Sequence, residues 1–431
     1  MNDRVNNSEP RPSGSDHTSL HLTAIRPLQA ISLGRSLTVA ALLCVTAMSH
    51  AEERGPIVVS DEALKLHHSA LLIDGHNDLP WEIRTKGSSD FSKIDIAQPQ
   101  PRLQTDLPRA REGGLKCQFW SVWVPAELDG TGKALATTLE QIELVKLMID
   151  RYPGDLELAL TADDIERIAG EGKIASLIGV EGGHCIEESL STLRRLYELG
   201  ARYMTLTHGN TISWADSGTD EAKNGGLSEF GKEVIREMNR LGMMVDISHV
   251  SIEVMHQALD TSTAPVIFSH SSSRAVADHP RNVPDEVLKR IKEKDGVVMV
   301  NFFSAFVVPA AADNYAATFE IRRELEAKGA DLATIEHAQN EYKAANRMPR
   351  GTIHDLLDHI DHIAKVAGIE HVGIGSDFDG VSVLPEGLED VACYPRITQG
   401  LLDRGYTPDE IRGVLGGNLL RVMRKVEAAK E

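Results

Sequence analysis

An α/β fold, a (β/α)8 barrel of the TIM type, is what the sequence predicts, on three observations. Short apolar runs recur along the chain, separated by stretches of helical periodicity, which is the pattern of a parallel sheet with crossover helices. Eight such runs can be counted, and eight parallel strands with right-handed crossovers close a barrel. No G-x-G-x-x-G follows the first run, which disfavours the doubly wound open sheet. The 431 residues leave room for a barrel with insertions.

Asp61–His68 reads as a short helix leading into the first strand, Leu71–Ile73, which runs on into Asp74-Gly75-His76-Asn77-Asp78. Lys116–Val124 (KCQFWSVWV) is the second strand, rich in aromatic and β-branched residues. Thr138–Asp150 is an amphipathic helix with Leu139, Ile142, Val145 and Ile149 on one side. Ala175–Val180 is the third strand and ends at Glu181, and a helix over Ser189–Leu199 leads to the fourth, Ala201–Thr207, ending at His208. Glu229–Leu241 is helical before the fifth strand, Met243–Ser248, which ends at His249. After a helix at Ser251–Leu259, the sixth strand, Pro265–Ser269, ends at His270. Asp285–Lys294 is helical, and Gly296–Phe303 is the seventh strand. An insertion, Ser304–Arg350, follows with a charged helical stretch over Phe319–Asn346, expected to cover the barrel mouth or to make a subunit contact. A helix over Ile353–Ala367 precedes the eighth strand, His371–Ser376, which ends at Asp377, and Thr407–Val426 closes the chain as helix.

The first fifty residues have another character. A polar segment is followed by Arg26 and Arg35, then the apolar run Ser36–Met48 and the small-residue exit Ser49-His50-Ala51. Positive flank, short apolar core and small-residue exit describe a secretory signal peptide. The run is too short for a spanning helix with these flanks, and no apolar tail follows Lys430. Residues 1–51 are therefore expected to be leader and signal, and 52–431 a single (β/α)8 domain with its insertion at about 304–350, exported to a bacterial periplasm without a transmembrane or lipid anchor. Beyond the leader only Cys117, Cys185 and Cys393 remain, an odd count that is no disulfide framework. One pair with a spare thiol and three buried thiols both stay open. The formal charge of −19, with no basic stripe, excludes nucleic acid as a partner.

Chemistry concentrates where the strands end. In a strand, residues i and i+2 share a face, so His76 and Asp78 can converge on one point. His76, Asp78, Glu181, His208, His249, His270 and Asp377 all fall within a residue or two of a strand's C-terminal end. In a parallel barrel these ends form one rim, the place where such folds keep their active sites. Taken singly, each could be a turn or cap residue. Together they favour a metal cluster, because several carboxylates gathered in one place are costly without a cation. Such a set exceeds what one tetrahedral zinc takes; a single site with spectator residues stays open, but two ions bridged by a carboxylate use the set better. Thiolate clusters and a Gly-x-Ser-x-Gly elbow are absent, which disfavours structural zinc, iron–sulfur and serine-hydrolase chemistry.

At this point the motifs resemble those of the membrane (renal) dipeptidases, zinc enzymes of the amidohydrolase superfamily. The resemblance is carried by Ile73–Pro80 (IDGHNDLP), Gln118–Val122 (QFWSV), Gly179–His184 (GVEGGH), Leu206–His208 (LTH), Trp214–Asp216 (WAD), Asp246–Val250 (DISHV), Ser269–Ser273 (SHSSS), Arg281–Asp285 (RNVPD) and Gly375–Gly380 (GSDFDG). It implies that His76 and Asp78 bind one zinc, that Glu181 bridges two Zn2+ ions, and that His249 and His270 bind the second. It further implies that Asp377 is the catalytic acid/base, that His208 polarises the scissile carbonyl, and that Arg281 holds the substrate carboxylate. Without the resemblance, an ion pair between Arg281 and Asp285 is an equal reading. The expected reaction is hydrolysis of dipeptides with a free C-terminal carboxylate, L-Xaa-D-Xaa included, by a hydroxide held between the ions. Alternatives are hydrolysis of N-acyl-amino acids, lactones, β-lactams or phosphoesters on the same centre, or a binding homologue that has lost catalysis. The cysteines depart from the mammalian disulfide pattern, which speaks against a disulfide-linked, lipid-anchored dimer and leaves another homodimer open. The loop Gly209–Ser213 and the insertion also depart from the family pattern.

Overall fold

A computed structural model describes residues 54–430, so the expected leader, its signal sequence and Cys44 lie outside the described residues. Nine strands form one sheet: β1 (Leu72–Asn77), β2 (Leu115–Trp123), β3 (Leu156–Leu158), β4 (Ile174–Glu181), β5 (Ala201–Thr205), β6 (Met244–Asp246), β7 (Ile267–Phe268), β8 (Val297–Val300) and β9 (Val372–Ile374). Eight of them run in the order β2-β1-β9-β8-β7-β6-β5-β4, and β2 pairs back onto β4, which closes the barrel. All pairings between the strands are parallel. The sequence reading of a (β/α)8 barrel is correct, and its eight strands are the eight of the barrel. It missed β3, a three-residue strand that pairs with β4 alone and lies outside the closed ring.

Parallel strands are covered on both faces, so they read as continuous apolar runs. Their inner faces contribute Ile73, Phe119, Leu177, Tyr203, Ile267 and Met299 to one buried cluster. Their outer faces meet the surrounding helices in a second and larger one. Several helix boundaries are set by local chemistry. Ile353–Ala367 begins at a capping box in which Thr352 and Asp355 satisfy each other's backbone N–H, and it ends at Gly368. Of the apolar side expected for the helix at 138–150, Ile142, Val145 and Ile149 are buried, but Leu139 is 38% exposed. The last helix is not continuous. It breaks between Pro408–Arg412 and Asn418–Ala428, because Gly416 packs against the first strand, where an added Cβ would lie 2.1 Å from the Leu71 carbonyl oxygen. The segment after β8 is helical over Pro309–Ala327 and Leu332–Ala345, with Gly329 at positive φ between them. No helix of the described residues is long and apolar enough to cross a membrane. Cys117, Cys185 and Cys393 are all free and buried, which settles the open cysteine question in favour of three thiols.

Candidate metal centre

Two buried aspartates register the strand ends that carry the site. Asp74, inside β1, accepts hydrogen bonds from the Ser376 N–H (2.8 Å) and hydroxyl (2.5 Å) and from the Tyr394 hydroxyl. This ties β1 to the segment after β9, where the Asp377 N–H donates to the His76 carbonyl (3.1 Å) and the Asp78 N–H to the Phe378 carbonyl (2.9 Å). Asp246, at the end of β6, accepts from the hydroxyls of Thr205 (2.5 Å) and Ser269 (2.5 Å) and from the N–H groups of Ser248 and Ser269. It fixes β5, β6 and β7 together just below His249 and His270.

On that frame the rim residues converge. The His76 Nε2 atom lies 3.2 Å from Asp78 Oδ2 and 3.4 Å from Glu181 Oε2. On its other oxygen, Glu181 faces His249 Nε2 at 3.0 Å, His270 Nε2 at 3.3 Å and His208 Nε2 at 3.9 Å. His249 and His270 bring their Nε2 atoms to within 2.9 Å of each other. Potential ligand atoms form three groups, each within 4.8 Å: His76 with Glu181 and His270, Glu181 with His208 and His249, and His76 with Asp78 and Asp377. Glu181 and His76 each take part in two of them. Gly380 makes the last group possible, since a Cβ there would fall 2.2 Å from Asp78 Oδ2 and 2.6 Å from Asp377 Oδ1.

The donor set fits a cation. Tyr203 donates its hydroxyl proton to the Gly75 carbonyl (3.1 Å), so its oxygen accepts the His76 Nδ1 proton at 2.9 Å. Ser269 commits its proton to Asp246 and accepts from His270 Nδ1 at 2.7 Å. Both imidazoles therefore turn an Nε2 lone pair toward carboxylate oxygens, an arrangement that repels unless a positive charge lies between them. Burial depresses His249 and His270 well below the usual imidazole range, which keeps them in the neutral form that ligates. Burial acts the same way on His76, but Tyr203, Glu181 and Asp78 outweigh it and lift its pKa, so this centre attracts positive charge. Glu181 would be raised by burial alone; positive charge at His76, with the other imidazoles around it, holds it well below the carboxylate range, so this carboxylate too is set beside a positive charge.

The backbone is strained at two of these positions. His249 and Asp377 take φ of 68° and 65°, a left-handed conformation that costs non-glycine residues energy and is typical of functional sites. Asp377 is 8% exposed and accepts from Asn301 Nδ2 at 2.7 Å. Burial, with the Asp78 and Glu181 carboxylates alongside, pushes it up to about 8.

A cleft of about 1040 Å³ opens onto the centre, and Asp78, Glu181, His208, His249, His270, Arg281 and Asp377 all line it. His76 stands behind them, fully buried. Arg281 is 3% exposed and forms no ion pair with Asp285, which pairs instead with His362 at 2.8 Å. Its guanidinium donates only long bonds, to the Ser271 hydroxyl (3.3 Å) and the His270 carbonyl (3.2 Å), and its Nε has no partner. Burial lowers its pKa to about 10, so it stays charged at neutral pH.

All eight residues singled out in the sequence are thus brought to one place. The buried partners Asp74, Tyr203, Asp246 and Ser269 were not singled out. The signal for the aspartates was available: an acid inside an otherwise apolar strand must be heavily hydrogen-bonded. Removing one of these partners gives a direct check. Tyr203→Phe should keep the fold and weaken metal binding by about 10–100-fold, read by competition with a chromophoric chelator.

Comparison with known proteins gives the chain's family and its fold relatives. The profile of the membrane dipeptidase family (peptidase family M19) matches residues 60–431. An uncharacterised dipeptidase of Schizosaccharomyces pombe is 42% identical over 369 residues, which are 83% of this chain and 81% of the relative. Among solved structures, the probable dipeptidase PvdM of Pseudomonas aeruginosa superposes with a TM-score of 0.75 at 27% identity, over 85% of this chain and 98% of its own. A metallopeptidase of Rhodobacter sphaeroides, solved with a phosphinate mimic of the dipeptide L-Ala-D-Ala, shares the fold with a TM-score of 0.68 at 22% identity, over 83% and 99%.

Proposed function

Since the chain belongs to the membrane dipeptidase family and is a metal-dependent dipeptidase, we propose that it uses two zinc ions to cleave dipeptides bearing a free C-terminal carboxylate. His76, Asp78 and Glu181 would hold one ion, and Glu181, His249 and His270 the other. When bound, the ions supply Lewis acidity and a water that ionises near neutral pH. Two cations would offset the Asp78 and Glu181 charges that raise Asp377, and in its ionised form Asp377 can take the proton of the attacking water and return it to the leaving amine nitrogen. His208 is depressed by burial and is neutral, so its ring N–H can donate to the carbonyl oxygen as negative charge grows there. Export to a periplasm belongs to the same reading and rests on the leader sequence alone.

The observation that carries the substrate assignment is Arg281. A buried guanidinium with no carboxylate ion-pair partner among the described residues, on the wall of the cleft, suits a carboxylate, and a bidentate grip fits an α-carboxylate. The experiment is a rate comparison between L-Ala-L-Ala, L-Ala-D-Ala, their C-terminal amides and N-acetyl-alanine. Amidation should cost about 10²-fold or more in kcat/KM, the usual loss when a buried charge is left unpaired. Arg281→Lys should raise KM for the free dipeptide about tenfold, because a point charge replaces a planar fork. Cleavage of the acyl-amino acid without turnover of any dipeptide would overturn the assignment.

A further inference from the structure

The wall of the cleft beside Arg281 has no part in the catalytic roles above, and it is aromatic. Phe303 and Phe306 follow β8, and Tyr315 and Phe319 lie one turn apart on the helix Pro309–Ala327, hence on one face. Their rings form a continuous edge-to-face chain, with centroids 5.0 Å apart for Phe303–Phe306, 5.4 Å for Phe303–Tyr315 and 5.2 Å for Tyr315–Phe319. His279 joins it, 4.7 Å from Phe306 and 5.8 Å from Tyr315. The chain begins at Arg281, whose guanidinium carbon sits 5.2 Å from the Phe306 centroid. All of these residues line the cleft. Phe303 and Phe306 are buried, while Tyr315 and Phe319 are half-buried.

This placement has a consequence for a bound dipeptide. The C-terminal side chain springs from the carbon that carries the α-carboxylate. With the carboxylate on Arg281 and the amide nitrogen toward Asp377, two directions remain at that carbon, for its hydrogen and its side chain, and the aromatic wall that begins beside Arg281 is an apolar surface within reach of the side chain. We propose that Phe303–Phe319 forms the pocket for the side chain of the substrate's C-terminal residue and selects large apolar or aromatic side chains there. The proposal rests on the dipeptidase reading above and assigns a role to the segment after β8. The wall itself adds no charge. Burial, with Arg281 and Arg274 nearby, holds His279 down to about 3, and its Nδ1 accepts the Arg281 backbone N–H at 3.1 Å, so the ring is neutral. At about 1040 Å³ the cleft has room for a dipeptide with a large side chain. Lys343 and Arg347 also line it, at exposed positions, and they define the competing outcome, selection of acidic side chains.

The test is kcat/KM of the metal-loaded enzyme on L-Ala-Gly, L-Ala-L-Leu, L-Ala-L-Phe and L-Ala-L-Asp. The Ala-Phe to Ala-Gly ratio should be about tenfold or more, the ordinary yield of filling an apolar pocket. Tyr315→Ala and Phe319→Ala should each lower that ratio at least about threefold. Glu320→Ala, on an exposed position of the same helix, should leave it unchanged. If Tyr315→Ala fails to fold, as judged by thermal melting, Phe319→Ala on the same face carries the comparison. A wild-type ratio within about twofold of one, a preference for Ala-Asp, or a ratio unmoved by both substitutions would overturn the proposal and leave the dipeptidase reading standing. No turnover of any of the four while L-Ala-D-Ala is cleaved would overturn the proposal alone, and no turnover of any of the five would overturn both.

Discussion

Asp377→Asn is expected to cut kcat for a dipeptide by about 10²–10⁴-fold, the usual contribution of a positioned acid/base, while the metal content of the purified protein stays the same. The substitution is close to neutral for the fold. Asparagine is isosteric, it tolerates the left-handed φ of 65° found here, and its Oδ1 can still accept the hydrogen bond from Asn301. The backbone ties that set this turn, from the Asp377 N–H to the His76 carbonyl and from the Gly380 N–H to the Asp377 carbonyl, do not involve the side chain. What disappears is the ability to take a proton. The experiment also separates two roles the geometry offers, since Asp377 falls within 4.8 Å of His76 and Asp78 in one of the candidate ligand groups. Loss of metal in step with loss of rate would make Asp377 a ligand. Full activity would remove it from the chemistry altogether.

How much of this was legible in the sequence depends on whether a residue's role is local. The barrel follows from apolar runs, which every buried parallel strand must have. The rim residues follow from position, because the end of a parallel strand is a fixed place in a barrel. Tyr203 illustrates what was hidden. Within Ala201–Thr205 it reads as an ordinary strand aromatic, and only the closing of the ring brings its hydroxyl to His76, 127 residues away in sequence. Ser269 is similar: its neighbour His270 was singled out, but its function comes from Asp246 on the adjacent strand. Arg281 shows the reverse case. Sequence left it between Asp285 and a substrate, and the three-dimensional pairing of Asp285 with His362 decided against the ion pair. The break at Gly416 was invisible because its cause, the Leu71 carbonyl, is at the other end of the chain.

Stripping the protein with a chelator is expected to abolish hydrolysis, and zinc is expected to restore it only as the second equivalent binds. Glu181 is placed to serve both ions. Its two oxygens face different neighbours, Oε2 toward His76 and Oε1 toward His249 and His270. A carboxylate divided in this way suits two ions better than one, and paired ions about 3.5–4 Å apart are an established arrangement for hydrolysis. Loading should also stabilise the fold, because metal binds the native arrangement and the unfolded chain cannot reproduce it. At a free concentration 1,000 times Kd, one site contributes about 4 kcal/mol, which a chain of this size would register as a rise in Tm of several degrees. Glu181→Gln supplies the complementary result. Its amide keeps the volume but loses the charge between the imidazoles, so the variant should lose both activity and the metal-dependent rise in Tm. Full activity at one equivalent of zinc, with no further change at two, would replace the binuclear reading with a single-ion site.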